Sequence, residues 1–533
     1  MVFKFSSPSA LQGGSLPIHA WPDQGAAWVE SLSCMRSSEA ARSLCSALYA
    51  LNRAKVADEE RLQLLEVYRP TILHLITDLS ADYNQARVPL PATAREAANL
   101  ARRLLIEYAC GYKLLLLDKA DSAVPDARRQ MPMLLHRAVT ALSDALALSY
   151  QAYAPTPAGV WHEIHQIYRY AEHYAMDEIA IAPGGAIEQS TIGLIYKQTL
   201  LLSLTDPYRL MPGEVNRVLA IVDRFRGGAM VLPYSARLSG EGLFLVQSDG
   251  DKPPKPLAET SRIPITPSDK VLNAASLVVS LGQHRAQLES QALASALDSA
   301  CSDEETKQID LLRRLEGFWS SPPMRVFNRS ASDSGVEICS GIVAVCHFLR
   351  RARIQAGAPL ESRTGPETTG AEPSLPGGAG KVTSPVYARW QISNQSAGGL
   401  AVRKTAGDDS AISVGEVVAI RYPGQSSWGV GTVRWMQSDE RDGFEFGIQM
   451  LAPGAVAVSI EAGASTGAKL EAVLLPELPA LKKAPALLAP RGVFKERGEF
   501  LFSAGGAQEP VKVLATRLLT QTASYEIFEF IPF

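Results

Sequence analysis

Tyr387-Ala-Arg-Trp-Gln-Ile-Ser-Asn-Gln-Ser-Ala-Gly-Gly-Leu-Ala-Val402 reads as a strand, a corner and a second strand. Residues 387–392 alternate in the manner of a half-buried β-strand. Asn394-Gln-Ser-Ala-Gly-Gly399 then supplies turn chemistry, and Leu400-Ala-Val402 resumes the extended pattern. Asn394 and Ser396 bring an amide and a hydroxyl to this corner. Gly398 and Gly399 leave room for a backbone or a flat ligand to approach. The pattern is Asn-x-Ser-x-x-Gly.

Working outward, strands are predicted at 387–393, 399–404, 415–421, 428–436 and 443–451. Val336-Glu-Ile-Cys-Ser-Gly-Ile-Val-Ala-Val-Cys-His-Phe-Leu349 is rich in β-branched residues and reads as an earlier strand. Between them, residues 355–385 contain six Gly and five Pro and read as a flexible insertion. Beyond 456 the chain again reads as strands, at Val456-Ala-Val-Ser-Ile, Leu470-Glu-Ala-Val-Leu-Leu, Gly498-Glu-Phe-Leu-Phe, Val511-Lys-Val-Leu-Ala and Tyr525-Glu-Ile-Phe-Glu-Phe. Many short strands with Gly and Pro turns indicate a barrel or sandwich. The tail either completes the first barrel or forms a second small β unit.

The preceding half is helical. Residues 1–23 have no period and read as an extended lead-in. Helices are predicted at 24–35, 38–53, 58–80, 93–117, 126–152, 158–177, 186–204 and 213–227, with short Pro-containing connections, which imply a bundle or a helical-repeat stack. Met230-Val-Leu-Pro and Gly242-Leu-Phe-Leu-Val suggest a short hairpin, and helix resumes over 268–297. The next helix begins at a Ser302/Glu305 capping box, runs through Ile309, Leu312, Leu315 and Phe318, and stops at Trp319-Ser-Ser-Pro-Pro.

The chain of 533 residues is long enough for roughly three domains, and its composition is that of an ordinary folded protein. A net charge of −3 gives no global pull toward duplex nucleic acid or an anionic membrane. Six cysteines without a Cys-x-x-Cys pair fit reduced thiols and argue against a disulfide framework or structural zinc. No signal-peptide core or membrane-length apolar run is present, so the expected location is the cytoplasm, with no membrane insertion.

Upstream of the corner, in the irregular link before the first strand, lies Arg325-Val-Phe-Asn-Arg329, an Arg-x-x-x-Arg. Arginine's planar fork offers paired donors and a stacking face to a flat polar ligand. Gly431-Thr-Val-Arg-Trp435 and Phe446-Gly-Ile-Gln-Met450 follow as late strands. Taken together and in this order, these motifs over about 320–455 resemble the PilZ family. That resemblance implies a β-barrel that binds cyclic di-GMP through Arg325, Arg329, Asn394, Ser396 and Gly399, with no other cofactor. Arg329 and Asn394 stand 65 positions apart, more than the family's usual two dozen, and the insertion accounts for most of the excess.

Other constellations carry less. Arg350, Arg351 and Arg353 form a basic cluster that reads either as added phosphate contacts or as a solvated loop face. His162-Glu-Ile-His165 is one residue short of the His-Glu-x-x-His spacing, so no metal site is expected. Gly463-Ala-Ser-Thr-Gly467 has the nucleophile-elbow pattern but leads into another strand, not a helix. Gly377-Gly-Ala-Gly-Lys381 lacks the first glycine and the Ser/Thr of a phosphate loop. No catalytic constellation remains.

The expected architecture is α+β multidomain: an α-helical region over 1–228, bundle or repeat-like; a hairpin with connecting helices over 229–320; a PilZ-like antiparallel β-barrel over 321–455; and a β extension over 456–533. The expected function is a non-enzymatic cyclic di-GMP receptor that reorients its barrel and helical region to regulate a protein partner through the helices. The alternative is a protein-interaction adaptor with a degenerate barrel that does not bind the nucleotide.

Overall fold

The structure, a computed structural model, describes the chain apart from residues 1–2, 7–21, 85, 87, 121–124, 183–189, 260–263, 296–302, 322–329, 358–385, 405–411, 439–442, 463–468, 478, 480–482, 504–509, 523 and 533. Its contacts divide it into two units, Met1–Arg325 with Met436–Asp442, and Val326–Trp435 with Gly443–Phe533. The class is α+β, with helices leading and antiparallel barrels following.

Apolar residues at three- and four-residue spacing build the helices of the first unit. They are α1 (Pro22–Leu32), α2 (Ser37–Arg53), α3 (Asp58–Tyr83), α4 (Ala92–Ala120), α5 (Pro125–Gln151), α6 (Val160–His173), α7 (Ile192–Leu204) and α8 (Glu214–Phe225). Helix α4 is central, packing on α2, α3 and α5. Ala97, Ala101, Leu104, Leu105, Tyr108, Tyr112 and Leu115 are buried along it.

Strands β1 (Met230–Pro233), β2 (Leu243–Val246), β3 (Lys255–Pro256) and β4 (Lys270–Asn273) follow, then α9 (Ala275–Ser295) and α10 (Asp303–Ser320). The sheet order is β1-β4-β2-β3, so the expected hairpin of β1 with β2 does not form. Instead β4 inserts between them, pairing Leu272 with both Val231 and Phe244. Residues 270–273, expected as the start of a helix, are this central strand. Ser302 of the expected capping box lies outside the described residues. Helix α10 is held firmly: Leu311, Leu312, Leu315 and Trp319 join the helical core. The Trp319 indole N–H donates to the Leu201 carbonyl at 3.0 Å. Arg314 forks onto Glu214 and reaches Asp310 at 3.0 Å.

The second unit contains β5 (Ser330–Ala331), β6 (Gly335–Ser340), α11 (Ile342–Gly357), β7 (Ala388–Ser396), β8 (Gly399–Lys404), β9 (Val417–Arg421), β10 (Gly429–Ser438) and β11 (Phe444–Ala452). Their order is β5-β7-β6-β9-β10-β11-β8, and the β7–β8 pairing closes the ring. The segment 336–349 is therefore only half strand. Gly341, at φ +86°, ends β6, and α11 begins at the next residue. Val345, Cys346, Phe348 and Leu349 recur at helical spacing and bury together, which outweighs their β propensity.

β12 (Val456–Ala462), β13 (Lys469–Leu475), β14 (Ala486–Pro490), β15 (Glu499–Ser503), β16 (Val511–Gln521) and β17 (Tyr525–Pro532) form a second closed barrel, order β12-β13-β14-β17-β16-β15. Its interior includes Val458, Leu487, Phe500, Val513 and Phe528. Helix α11 fills the space between the barrels. Its buried face packs on Val417, Ala419, Trp428 and Val430 of the first and on Ala457, Val473, Leu488 and Ile527 of the second. Phe348→Ala removes a buried ring from this shared core. It should cost about 3–5 kcal/mol and lower the melting of both barrels in one transition, read by calorimetry.

Candidate functional site

The corner at 394–399 is a hairpin turn, with Ser396 paired to Gly399 across a two-residue loop. Strict alternation along β7 would place Asn394 and Ser396 on the same face as Trp390 and Ile392, which are buried in the barrel. The register shifts between Ile392 and Asn394, the signature of a β-bulge at Ser393. One extra residue there turns Asn394 and Ser396 to the outer surface. The Ser393 hydroxyl lies 3.2 Å from the Ala401 carbonyl and also engages the Glu445 carboxylate.

Three rows of side chains follow from the registers of β7, β8 and β11. Gln391, Arg403 and Glu445 form the first; Asn394, Ala401 and Gly447 the second; Ser396, Gly399 and Gln449 the third. The second and third rows carry the small residues Ala401, Gly399 and Gly447, and Ala401 and Gly447 are buried beneath their neighbours. A Cβ on Gly447 would overlap the indole of Trp435, which is half-buried on this face. Arg434 Nε donates to Gln449 Oε1 at 2.5 Å. Arg403 donates to Gln391 at 3.0 Å and to Asp333 at 2.8 Å, so a second cation borders the face.

On the other edge of β7, Ser330 pairs with Gln395 and Ala331 with Asn394. Arg325 and Arg329 themselves lie outside the described residues. The chain nevertheless leaves that segment at Ser330, directly beside the Asn394/Ser396 corner. Trp435, Arg403 and Arg434 were not singled out as site residues by sequence. Only the cross-strand register brings them to the corner.

Gly399 is also under a packing constraint. A Cβ there would run into the Ile448 carbonyl of β11, so the residue is required by strand packing. The Ser396 hydroxyl bonds the Gly399 carbonyl at 3.2 Å, and the Asn394 amide reaches Ser393 Oγ at 3.4 Å. Arg350 is turned away from any phosphate role: it lies on α11 and bonds Ser459 and Glu471 of the second barrel.

His165 is a core residue. Its Nδ1 meets the Tyr196 hydroxyl at 2.7 Å and its Nε2 the Lys252 carbonyl at 3.1 Å. Among the described residues no cluster of three His, Cys, Asp or Glu is arranged to hold a metal. None of the described helices is long and apolar enough to cross a membrane. Gly463–Gly467 and Gly377–Lys381 lie outside the described residues, although β12 and β13, which flank the first, pair antiparallel as a hairpin.

Comparison with known proteins places these observations in a family. Residues 367–456 match the model described as "Cyclic-di-GMP receptor FimW, middle PilZ domain". The chain contains a PilZ domain. Residues 23–233 match "Cyclic-di-GMP receptor FimW, N-terminal domain", and residues 456–533 match "FimW C-terminal beta-barrel domain". A Pseudomonas aeruginosa protein named "Cyclic-di-GMP receptor FimW" is 25% identical over 559 residues, covering 94% of this chain and 89% of its own. No solved structure matches the chain.

Two expectations follow. Gly399→Ala should destabilise the PilZ barrel by about 1–3 kcal/mol in denaturant titration, whereas Ser396→Ala should change stability little. Burial, reinforced by Arg137 and Arg69, lowers His136 to about 4, and burial likewise lowers His165 to about 4. Neither ring nitrogen of His136 has a hydrogen-bond partner. Both rings fold as neutral imidazoles, whereas the unfolded chain takes up these protons below about pH 6.5. Stability from this source is complete above pH 6.5 and falls toward pH 4, by roughly 3 kcal/mol per histidine. His136→Leu should flatten that acid limb in urea denaturation.

Proposed function

We propose that this protein is a cyclic di-GMP receptor whose ligand lies on the outer face of the PilZ barrel, over the Asn394/Ser396 corner. The observation that carries this reading is the pairing of Ser330 with Gln395, which brings the end of the arginine segment to the corner. Arg329 is one peptide unit from Ser330, about 3.8 Å between Cα atoms, and Arg325 is five, at most ~18 Å away. The chain length therefore allows both guanidiniums to reach a ligand on this surface. The name of the Pseudomonas aeruginosa relative supports the same ligand.

In this reading Arg325 and Arg329 stack on a guanine and neutralise phosphate, and the Asn394 amide and Ser396 hydroxyl bond the other guanine edge. Trp435 offers an aromatic surface against which a base can stack. Gly399 keeps the corner free of a Cβ and lets β8 lie against β11. The chemistry is binding, not catalysis, and the expected setting is the cytoplasm. The segment 322–329 joins α10, which is locked by Trp319 and Arg314, to β5. A ligand that draws this segment onto the barrel would favour one orientation of barrel and helices, and the helical region would show or hide a partner surface accordingly.

Calorimetric titration with cyclic di-GMP tests the reading. Wild type should bind, and Arg325→Ala, Arg329→Ala and Asn394→Ala should each lose about 1–3 kcal/mol, roughly 5- to 150-fold in Kd. Folded wild type that takes up no nucleotide would leave the adaptor reading.

A further inference from the structure

Residues 3–6, Phe-Lys-Phe-Ser, lie extended against α4 and α6 and join neither a helix nor a sheet. Phe3 is buried in the helical core, stacked on Tyr170 at 4.5 Å and on Phe5 at 4.5 Å. The polar contacts are made chiefly to the backbone. The Gln166 amide accepts from the Lys4 N–H at 2.6 Å and donates to the Lys4 carbonyl at 3.2 Å. Glu163 Oε1 accepts from the Ser6 N–H at 3.1 Å and from its hydroxyl at 2.7 Å. Lys113 Nζ lies 3.3 Å from both the Ser6 carbonyl and its hydroxyl.

Gln166, Glu163 and Lys113 are themselves buried, at about 5% exposure each. Lys113 and Glu163 are also paired with each other, at 2.7 Å and 2.9 Å. With residues 3–6 in place, the polar contacts of the site are made to side chains shielded from water, where each hydrogen bond counts for more. An apolar slot for an aromatic ring beside an amide that reads both main-chain groups of the next residue is how extended peptides are recognised. The Lys4 side chain points to solvent, so the contacts impose no identity there.

We propose that α4 and α6 form a peptide-recognition groove for extended aromatic-x-aromatic-Ser segments. Residues 3–6 occupy it in cis, and a partner chain carrying the same pattern takes their place. The occupant belongs to the same chain, so a free partner competes with an intramolecular ligand. A partner competes only when the tethered segment is released.

The probe is a fluorescein-labelled peptide of residues 2–7, Val-Phe-Lys-Phe-Ser-Ser, followed by anisotropy. A chain beginning at residue 7, shown folded by circular dichroism, should bind it at least about tenfold more tightly than the full chain. Replacing Phe3 by Ala in the peptide, or Gln166→Ala in the protein, should weaken binding by about tenfold or more. Equal binding by both chains, or none by the folded shortened chain, overturns the proposal. Should the shortened chain not fold, a protease site placed between residues 8 and 20 of the full chain replaces it. After cleavage the labelled peptide should exchange into the folded protein, and a cut segment that never exchanges is a fixed piece of core and refutes the groove.

Discussion

The extra residue at Ser393 decides what the PilZ barrel presents to solvent. A strand alternates without choice, and β7 commits Trp390 and Ile392 to the interior. Without the bulge, Asn394 and Ser396 would follow them inward, and two polar side chains would need partners inside an apolar barrel. With it, both emerge onto the outer face and line up with Ala401, Gly447 and Gly399. The Ser393 hydroxyl, held between a backbone carbonyl and Glu445, gives the irregularity its own bonds. The placement of Asn394 and Ser396 beside Ala401 and Gly399 depends on that single shift.

Much of this was legible in advance. The corner at 394–399, the strands on either side and the helical first half all carry strong local signals: turn residues, alternation and a 3.6-residue period. The bulge carries none, because Ser393 is an unexceptional strand residue and the shift is enforced by neighbouring strands. Gly399 shows the same limit. Its presence in the motif suggests room for a ligand, yet the atom that forbids a side chain is a carbonyl on β11, some fifty positions later. Trp435 and Arg403 likewise reach the corner only through cross-strand pairing.

Local propensity misled where tertiary packing overrode it. The run after Gly341 is rich in valine and isoleucine, yet it is helical because both barrels offer apolar surface to one face of α11. The two valine- and leucine-rich strands β1 and β2 resemble a hairpin in sequence, and β4, more than twenty residues later, comes between them. Residues 3–6 read only as an extended lead-in. Their extended form was visible, but the buried amide and carboxylate that receive them come from a helix over 150 positions away.

Closure of both barrels restricts how this half of the molecule can meet other chains. Among the described strands the rings leave only the two-residue β5 with an open side, so neither barrel wall presents a long edge on which a visiting strand could lengthen the sheet. Association by sheet extension, the route to open-ended fibres as well as to many peptide complexes, is thereby closed to the barrel walls. Any recognition there has to be made by side chains on a curved exterior, where single substitutions can retune it without disturbing the ladders beneath.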